Sequence, residues 1–183
     1  MASLLKKLFG IDEATPPRGE ASAAETATVR KIVDALDRME PARARWVASF
    51  AYVLGRVAHA DMDISTEETD AMERAMKQHA GLPEEQAILV VQIAKSQNLL
   101  FGSTENYLVT REFGRLADRA ERRALLDCLF AISAADESVS TAEDAEIRKI
   151  SEELKLDHAE FIAARAAYRD QLSVLKRKPG TDA

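Results

Sequence analysis

Two short stretches of this chain set carboxylates at a spacing that suits cation chemistry. Residues 58–68 read AHADMDISTEE and residues 133–143 read SAADESVSTAE, so Asp61 and Glu68 recur, 75 positions later, as Asp136 and Glu143. Each copy follows an apolar run with Ala-Asp, a short polar gap, a Ser-Thr pair and a Glu seven residues after the Asp. Carboxylate oxygens are hard donors, suited to calcium or magnesium and poorly suited to copper. If the two stretches lie side by side, four like charges converge, and such a cluster either binds protons more tightly or recruits a cation. The candidate metal ligands are therefore Asp61, Glu68, Asp136 and Glu143.

A second reading of the same residues is structural. Ser65 with Glu68, and Ser140 with Glu143, have the spacing of a capping box, in which hydroxyl and carboxylate each satisfy a free amide at a helix start. On that reading Glu67, Asp70, Asp144 and Glu146 are solvated charges at the positive end of a helix dipole. Capping does not account for Asp61 and Asp136, which fall at the C-terminal end of the preceding helix. A carboxylate there faces the negative end of the dipole, so a positive partner is expected nearby.

An EF-hand is excluded although DMDIST imitates its opening. The position that needs Gly holds Thr66, and the one that needs a bidentate Glu holds Met72. The second copy has Thr141 and Ile147 at those places. A metal here would need ligands from both copies. Zinc is disfavoured because His59, His79 and His158 show no H-x3-H or H-E-x-x-H spacing. Glycoside hydrolysis needs aromatic sugar platforms as well as paired carboxylates, and aromatics make up 5% of the chain. No phosphate-binding Gly-rich loop or Ser-His-Asp arrangement is visible. The one cysteine, Cys128, sits in the apolar run LLDCLFAI, where a buried, inert thiol is expected rather than a nucleophile. No enzymatic activity is expected.

Charge and composition narrow the partners. A net charge of -6 argues against nucleic acid, which demands a clustered Lys/Arg surface. The single cysteine and the absence of an apolar run long enough to span a bilayer point to the cytoplasm. The start, MASLLKKLF, is too short and interrupted for a signal peptide. Residues 1–9 read as a weak membrane-surface or partner-docking segment, or as an ordinary terminus.

The elements that must position the carboxylates are helices. Seven Gly and five Pro in 183 residues, with abundant Ala, Leu, Glu and Arg, favour helix over strand. Residues 1–28 read as an amphipathic start followed by a Pro/Gly/Ala/Glu-rich linker, and residues 178–183 as a disordered tail. Between them, over residues 29–177, one helical domain is expected. Val29, Ile32, Val33, Leu36 and Met39 mark a first helix. Pro41 opens a second, with Trp46, Val47, Phe50, Val53, Leu54 and Val57 central in the core. Met72 and Met76 lie inward on a third, ended at Gly81. Pro83 opens a fourth with Ile88, Leu89, Val91 and Ile93. The segment SQNLLFGSTENYLV interrupts, with Leu99, Leu100 and Phe101 either pinned to the core or offered to a partner. A fifth helix carries Tyr107, Leu108, Phe113 and Leu116, and a sixth Leu125, Leu126, Leu129, Phe130 and Ile132. The seventh carries Ile147, Ile150 and Leu154, and Asp157 caps a last one bearing Phe161, Ile162, Tyr168, Leu172 and Leu175.

These helices form a repeat. Setting Asp61 on Asp136 places Val57 on Ile132, Ile64 on Val139 and Met72 on Ile147. A one-residue deletion then sets Leu82-Pro83 on Leu156-Asp157. The expected fold is all-α, a single bundle of seven to eight helices built from two pseudo-symmetric helix-loop-helix-turn-helix copies.

The duplicated Ala-Asp, hydrophobic residue, Ser-Thr and Glu resemble the repeated A-D-G-x-(I/V)-x-x-x-E signature of the TerB-like family. That family comprises the tellurite-resistance TerB proteins and a related domain fused to membrane-anchored J-domain co-chaperones. The resemblance covers roughly residues 40–175, including LKLDHAEF, which is similar to the family's closing turn and final helix. It implies a compact all-α fold, a divalent-cation site on the acidic loops, and membership of multiprotein stress-response assemblies at the inner face of the membrane. Carried over, the site is Asp61 with Glu68 and Asp136 with Glu143. The chain departs from the signature where Met62 and Glu137 replace its Gly, and a left-handed turn there would cost about 1–2 kcal/mol. Chemistry on tellurite itself lacks support: oxyanion reduction needs paired thiols or a redox cofactor, and carboxylates repel a dianion. The functional expectation is a non-enzymatic, cation-binding scaffold or regulator with protein partners. The alternative is a metal-free helical interaction module in which the acidic residues only cap helices. Oligomeric state is not legible.

Overall fold

The computed structural model describes residues 23–58, 66–96, 106–135 and 138–175. They form eight α-helices: α1 (Ala23–Asp37), α2 (Pro41–Ala58), α3 (Thr66–His79), α4 (Glu84–Lys95), α5 (Asn106–Leu116), α6 (Arg119–Ser133), α7 (Thr141–Glu153) and α8 (His158–Ala166). A short 3-10 turn over Arg169–Gln171 follows. The fold is all-α, as composition and periodicity require. Residues 1–22, with the amphipathic start, and the tail at 178–183 lie outside the described residues.

The second helix is the spine. From Trp46 to Ala58 every residue of α2 is buried, because α4, α5, α6, α7 and α1 all pack against it. A helix apolar around its whole circumference is what such enclosure demands. Trp46, Phe50 and Phe113 make an aromatic cluster with centroids 4.9 to 5.7 Å apart, and the Arg43 guanidinium covers Trp46 at 4.4 Å. The other long contact is between α3 and α6, where the Cys128 thiol donates to the Ala75 carbonyl at 3.4 Å. Burial, helped by Asp127, pushes that thiol far up from its ordinary range, so the inert reading of Cys128 holds.

Local sequence sets the helix ends. Asp118, Ser140 and Asp157 each accept a bond from the amide three residues on, while Glu121, Glu143 and Glu160 reach back to close three capping boxes. Both α3 and α7 end in a left-handed residue, Gly81 (φ 59°) and Lys155 (φ 58°). The following leucines then donate backward, Leu82 to the Met76 carbonyl at 3.2 Å and Leu156 to Ser151 at 3.1 Å. Met76 and Ser151 are matched positions of the repeat, and the first copy reaches its acceptor across one more residue. That is the one-residue deletion, written in hydrogen bonds.

Some expectations fail. Helix α1 begins at Ala23, ahead of the apolar stripe that starts at Val29, because Ala-Ala-Glu-Thr favours helix without needing a buried face. Ile88, Tyr107, Ile162 and Leu175 are exposed rather than core. In α5 the inward residues are Val109, Thr110 and Phe113. The last helix stops at Ala166, well short of Leu172, because the chain there turns to pair with the second acidic segment.

Candidate functional site

Each acidic segment joins a helix of the central pair to the next. Residues 59–65 link Ala58 to Thr66, and residues 134–140 link Ser133 to Thr141, seven residues in both cases. The helices feeding them, α2 and α6, pack on each other. The helices leaving them cross over, α3 onto α6 and α7 onto α2.

Of the four candidate ligands, Asp61 and Asp136 lie outside the described residues. Glu68 falls in α3, but its side chain is outside the description. Glu143 is described. Its Oε2 accepts from the Ser140 amide at 2.8 Å, and its own amide donates to the Ser140 hydroxyl at 3.1 Å. The predicted second capping box is therefore present; Ser65 of the first lies outside the described residues. Among the described residues no group of three or more His, Cys, Asp or Glu side chains is placed to hold a metal. His79 is exposed at the end of α3, His158 stacks beside Phe161, and His59 is outside the description. Leu99, Leu100 and Phe101 are outside it too.

Asp61 and Asp136, for which a positive partner is expected, lie outside the described residues; the described cation that precedes the first of them is Arg56, in the last turn of α2 and five residues before Asp61. Its side chain is 1% exposed and every nitrogen is used. Nε and Nη2 donate to Glu146 Oε1 at 3.0 and 2.5 Å, and Nη1 donates to Glu153 Oε2 at 2.6 Å and to the Thr110 hydroxyl at 2.5 Å. Burial opposes the charge, but the hydrogen bonds and fields of Glu153 and Glu146 outweigh it and hold the guanidinium protonated. Nη1 also approaches the Asn106 carbonyl at 3.4 Å, while the Tyr52 hydroxyl meets Asn106 Oδ1 at 2.8 Å. Arg56 thus knots α2, α5 and α7 together at the mouth of the first acidic segment. Glu146 lies one helical turn beyond Glu143, so this knot sets the entry to the first segment beside the opening turns of α7.

This corrects the view of Glu146 and Asp144 as solvated charges. Glu146 serves Arg56. Asp144 takes a bidentate pair from Arg165 of α8 at 2.8 and 2.9 Å. Asp70 is exposed, as expected.

The second acidic segment is clamped from behind. Val139, fully buried, donates its amide to the Gln171 carbonyl at 2.8 Å and accepts from the Ser173 amide at 2.9 Å, an isolated parallel bridge with Leu172 between. The Ser138 and Ser173 hydroxyls meet at 2.9 Å. The backbone at Val139, four residues ahead of Glu143, is therefore held by Gln171 and Ser173. Sequence periodicity had put 171–173 in a helix; the one signal against that was β-branched Val139 in a segment too short to be a strand of its own.

No helix among the described residues is long and apolar enough to cross a membrane. Comparison with curated proteins and with solved structures yields no match. A family model does match, described as "Tellurite resistance protein TerB", over residues 47–166. That span is 120 of the 183 residues and takes in both acidic segments with the helices on either side of each. By its fold, by its duplicated acidic helix-loop-helix unit and by this match, the chain belongs to the tellurite resistance protein TerB family.

Proposed function

We propose that this protein is a non-enzymatic TerB-like stress-response component that binds one divalent cation, calcium or magnesium, through Asp61, Glu68, Asp136 and Glu143. It acts in the cytoplasm, peripherally at the inner membrane face, as a scaffold or regulator for protein partners. The observation that carries this reading is the family match across both acidic segments. Two features of the fold support it. Both segments have the same length between the same kinds of helix, and Arg56 brings the start of one beside the helix that leaves the other. The Val139 bridge then fixes the backbone behind the second Asp-to-Glu interval, which lowers the entropy lost on binding. Thiol-based reduction of an oxyanion has no support, because the buried Cys128 thiol is held protonated.

The Ser140–Glu143 box favours a second reading, in which the repeated Glu residues cap helices and nothing more. The readings separate in a thermal melt. On the cation reading, calcium or magnesium raises the midpoint relative to chelator, as mass action requires for a ligand of the native state, and Asp61→Asn with Asp136→Asn removes the rise. On the capping reading, cation and chelator give one midpoint, and that result overturns the proposal.

A further inference from the structure

A concavity of about 260 Å³ opens where α5, α6 and α7 meet, and four of the residues that line it are basic: Arg111, Arg115, Arg122 and Lys155. In a chain of net charge -6 this clustering is against the average. Among the described residues that line it Glu153 alone is acidic, and its carboxylate is engaged by Arg56.

Part of the clustering has a structural cause. Two helix C-termini end here, and Arg122 answers them, donating from Nε to the Ala117 carbonyl at 3.1 Å and from Nη1 to the Leu154 carbonyl at 3.4 Å. Arg115 is partly occupied by Glu112 at 3.4 Å. That cause does not extend to Arg111 and Lys155. Among the described residues neither has a carboxylate within ion-pair distance, and Arg111 has only the Tyr107 ring, 5.7 Å from its guanidinium carbon. Lys155 is also the one non-glycine residue with positive φ among the described residues, at the turn whose counterpart in the first copy is Gly81. The turn itself would be better served by glycine. A left-handed backbone kept at a basic residue that lines a cleft is the kind of outlier from which a binding role is inferred. On the α5 side the wall is bare, since a Cβ built on Gly114 would meet only Leu154 Cδ2, at 3.8 Å.

We infer that this cleft binds a compact dianionic phosphate group, either free or as a small monoester. Guanidinium forks and an ammonium suit the tetrahedral oxygens of phosphate. The cavity is smaller than the roughly 300–1,000 Å³ of sites for drug-sized ligands, so a mononucleotide or larger ligand would not fit within it. Of the proposed cation ligands, Glu143, whose side chain is described, sits in the first turn of α7, whereas Glu153 of this cleft sits in its last, ten residues or about 15 Å along the axis.

The test is a thermal melt of the full chain with inorganic phosphate and with glycerol 3-phosphate, each against sodium chloride at matched ionic strength. The wild type should gain about 3 °C at ligand concentrations near ten times the dissociation constant. Arg111→Gln and Lys155→Gly should each abolish most of the gain, and because glycine suits the turn, Lys155→Gly remains folded. A larger gain with the ester assigns the site to a monoester, and an equal one to free phosphate. No gain beyond chloride, or an undiminished gain in both variants, overturns the inference.

Discussion

Replacing Arg56 by Met removes a guanidinium whose side chain is 1% exposed and strands two carboxylates that it had neutralised. Glu153 is the more severe case, with a side chain 8% exposed, whereas Glu146 at 30% can turn partly to water. Removing one partner of a buried pair costs about 3–5 kcal/mol, most of it the penalty of the orphaned charge rather than the worth of the bond. Such a loss is a large share of the roughly 5–15 kcal/mol that holds a domain together. In urea, with a slope of about 2 kcal/mol per molar, the midpoint should fall by about 1.5–2.5 M at unchanged slope. Glu153→Gln should cost less, because the amide oxygen still accepts from Nη1 while only the charge is lost. The combined variant Arg56→Met, Glu146→Leu, Glu153→Leu should recover most of the deficit, since a buried ionic triad can be replaced by packed apolar groups at little cost. If Arg56→Met unfolds within about 0.5 kcal/mol of wild type, or the triple variant is no better than the single, the knot does not hold α2 to α7 as argued.

Other outcomes follow from single features of the fold. Lys155→Gly relieves a left-handed non-glycine residue and should stabilise the protein by about 0.5–1 kcal/mol, measured by the same urea titration. Ser140→Ala breaks the α7 capping box and should lose about 1 kcal/mol, with Thr in its place restoring most of it. The Cys128 thiol is raised by burial above its ordinary 9.0, and the Tyr168 phenol is raised above its ordinary 10.0, chiefly by burial. Both are held protonated in the fold and ionise first in the unfolded chain. Their contribution is therefore complete below about pH 9 and lost as pH climbs beyond it, so melts at pH 8, 9 and 10 should show a falling midpoint that flattens in Cys128→Ala.

What was legible from sequence follows from which signals are local. Periodicity placed the apolar faces of α2, α6 and α7, and cap chemistry placed Ser140, Asp157 and Gly81, because each depends on residues within one or two turns. The Arg56 knot was not legible, since it joins residues 54, 90 and 97 positions apart and nothing near Arg56 distinguishes it from an exposed arginine. A comparison of the two copies does register it. At the same offset of 75, Arg56 falls on Ala131, Glu146 on Ala71 and Glu153 on Gln78. Those three counterpart positions line an open cavity of about 250 Å³ between α3 and α6, where no charged knot is built among the described residues. The Val139–Leu172 pairing was hidden for a similar reason, because a helical spacing of Phe161, Tyr168 and Leu172 is satisfied equally by a chain that leaves the helix at Ala166 and returns Leu172 to the core.

Calcium titrated calorimetrically into the metal-free protein addresses the shared site most directly. If carboxylates from both acidic segments close on one ion, the stoichiometry is one per chain, and Asp61→Asn or Asp136→Asn alone abolishes the heat. Two ions per chain with each substitution removing one, or no heat at all, would contradict a single site built from both copies.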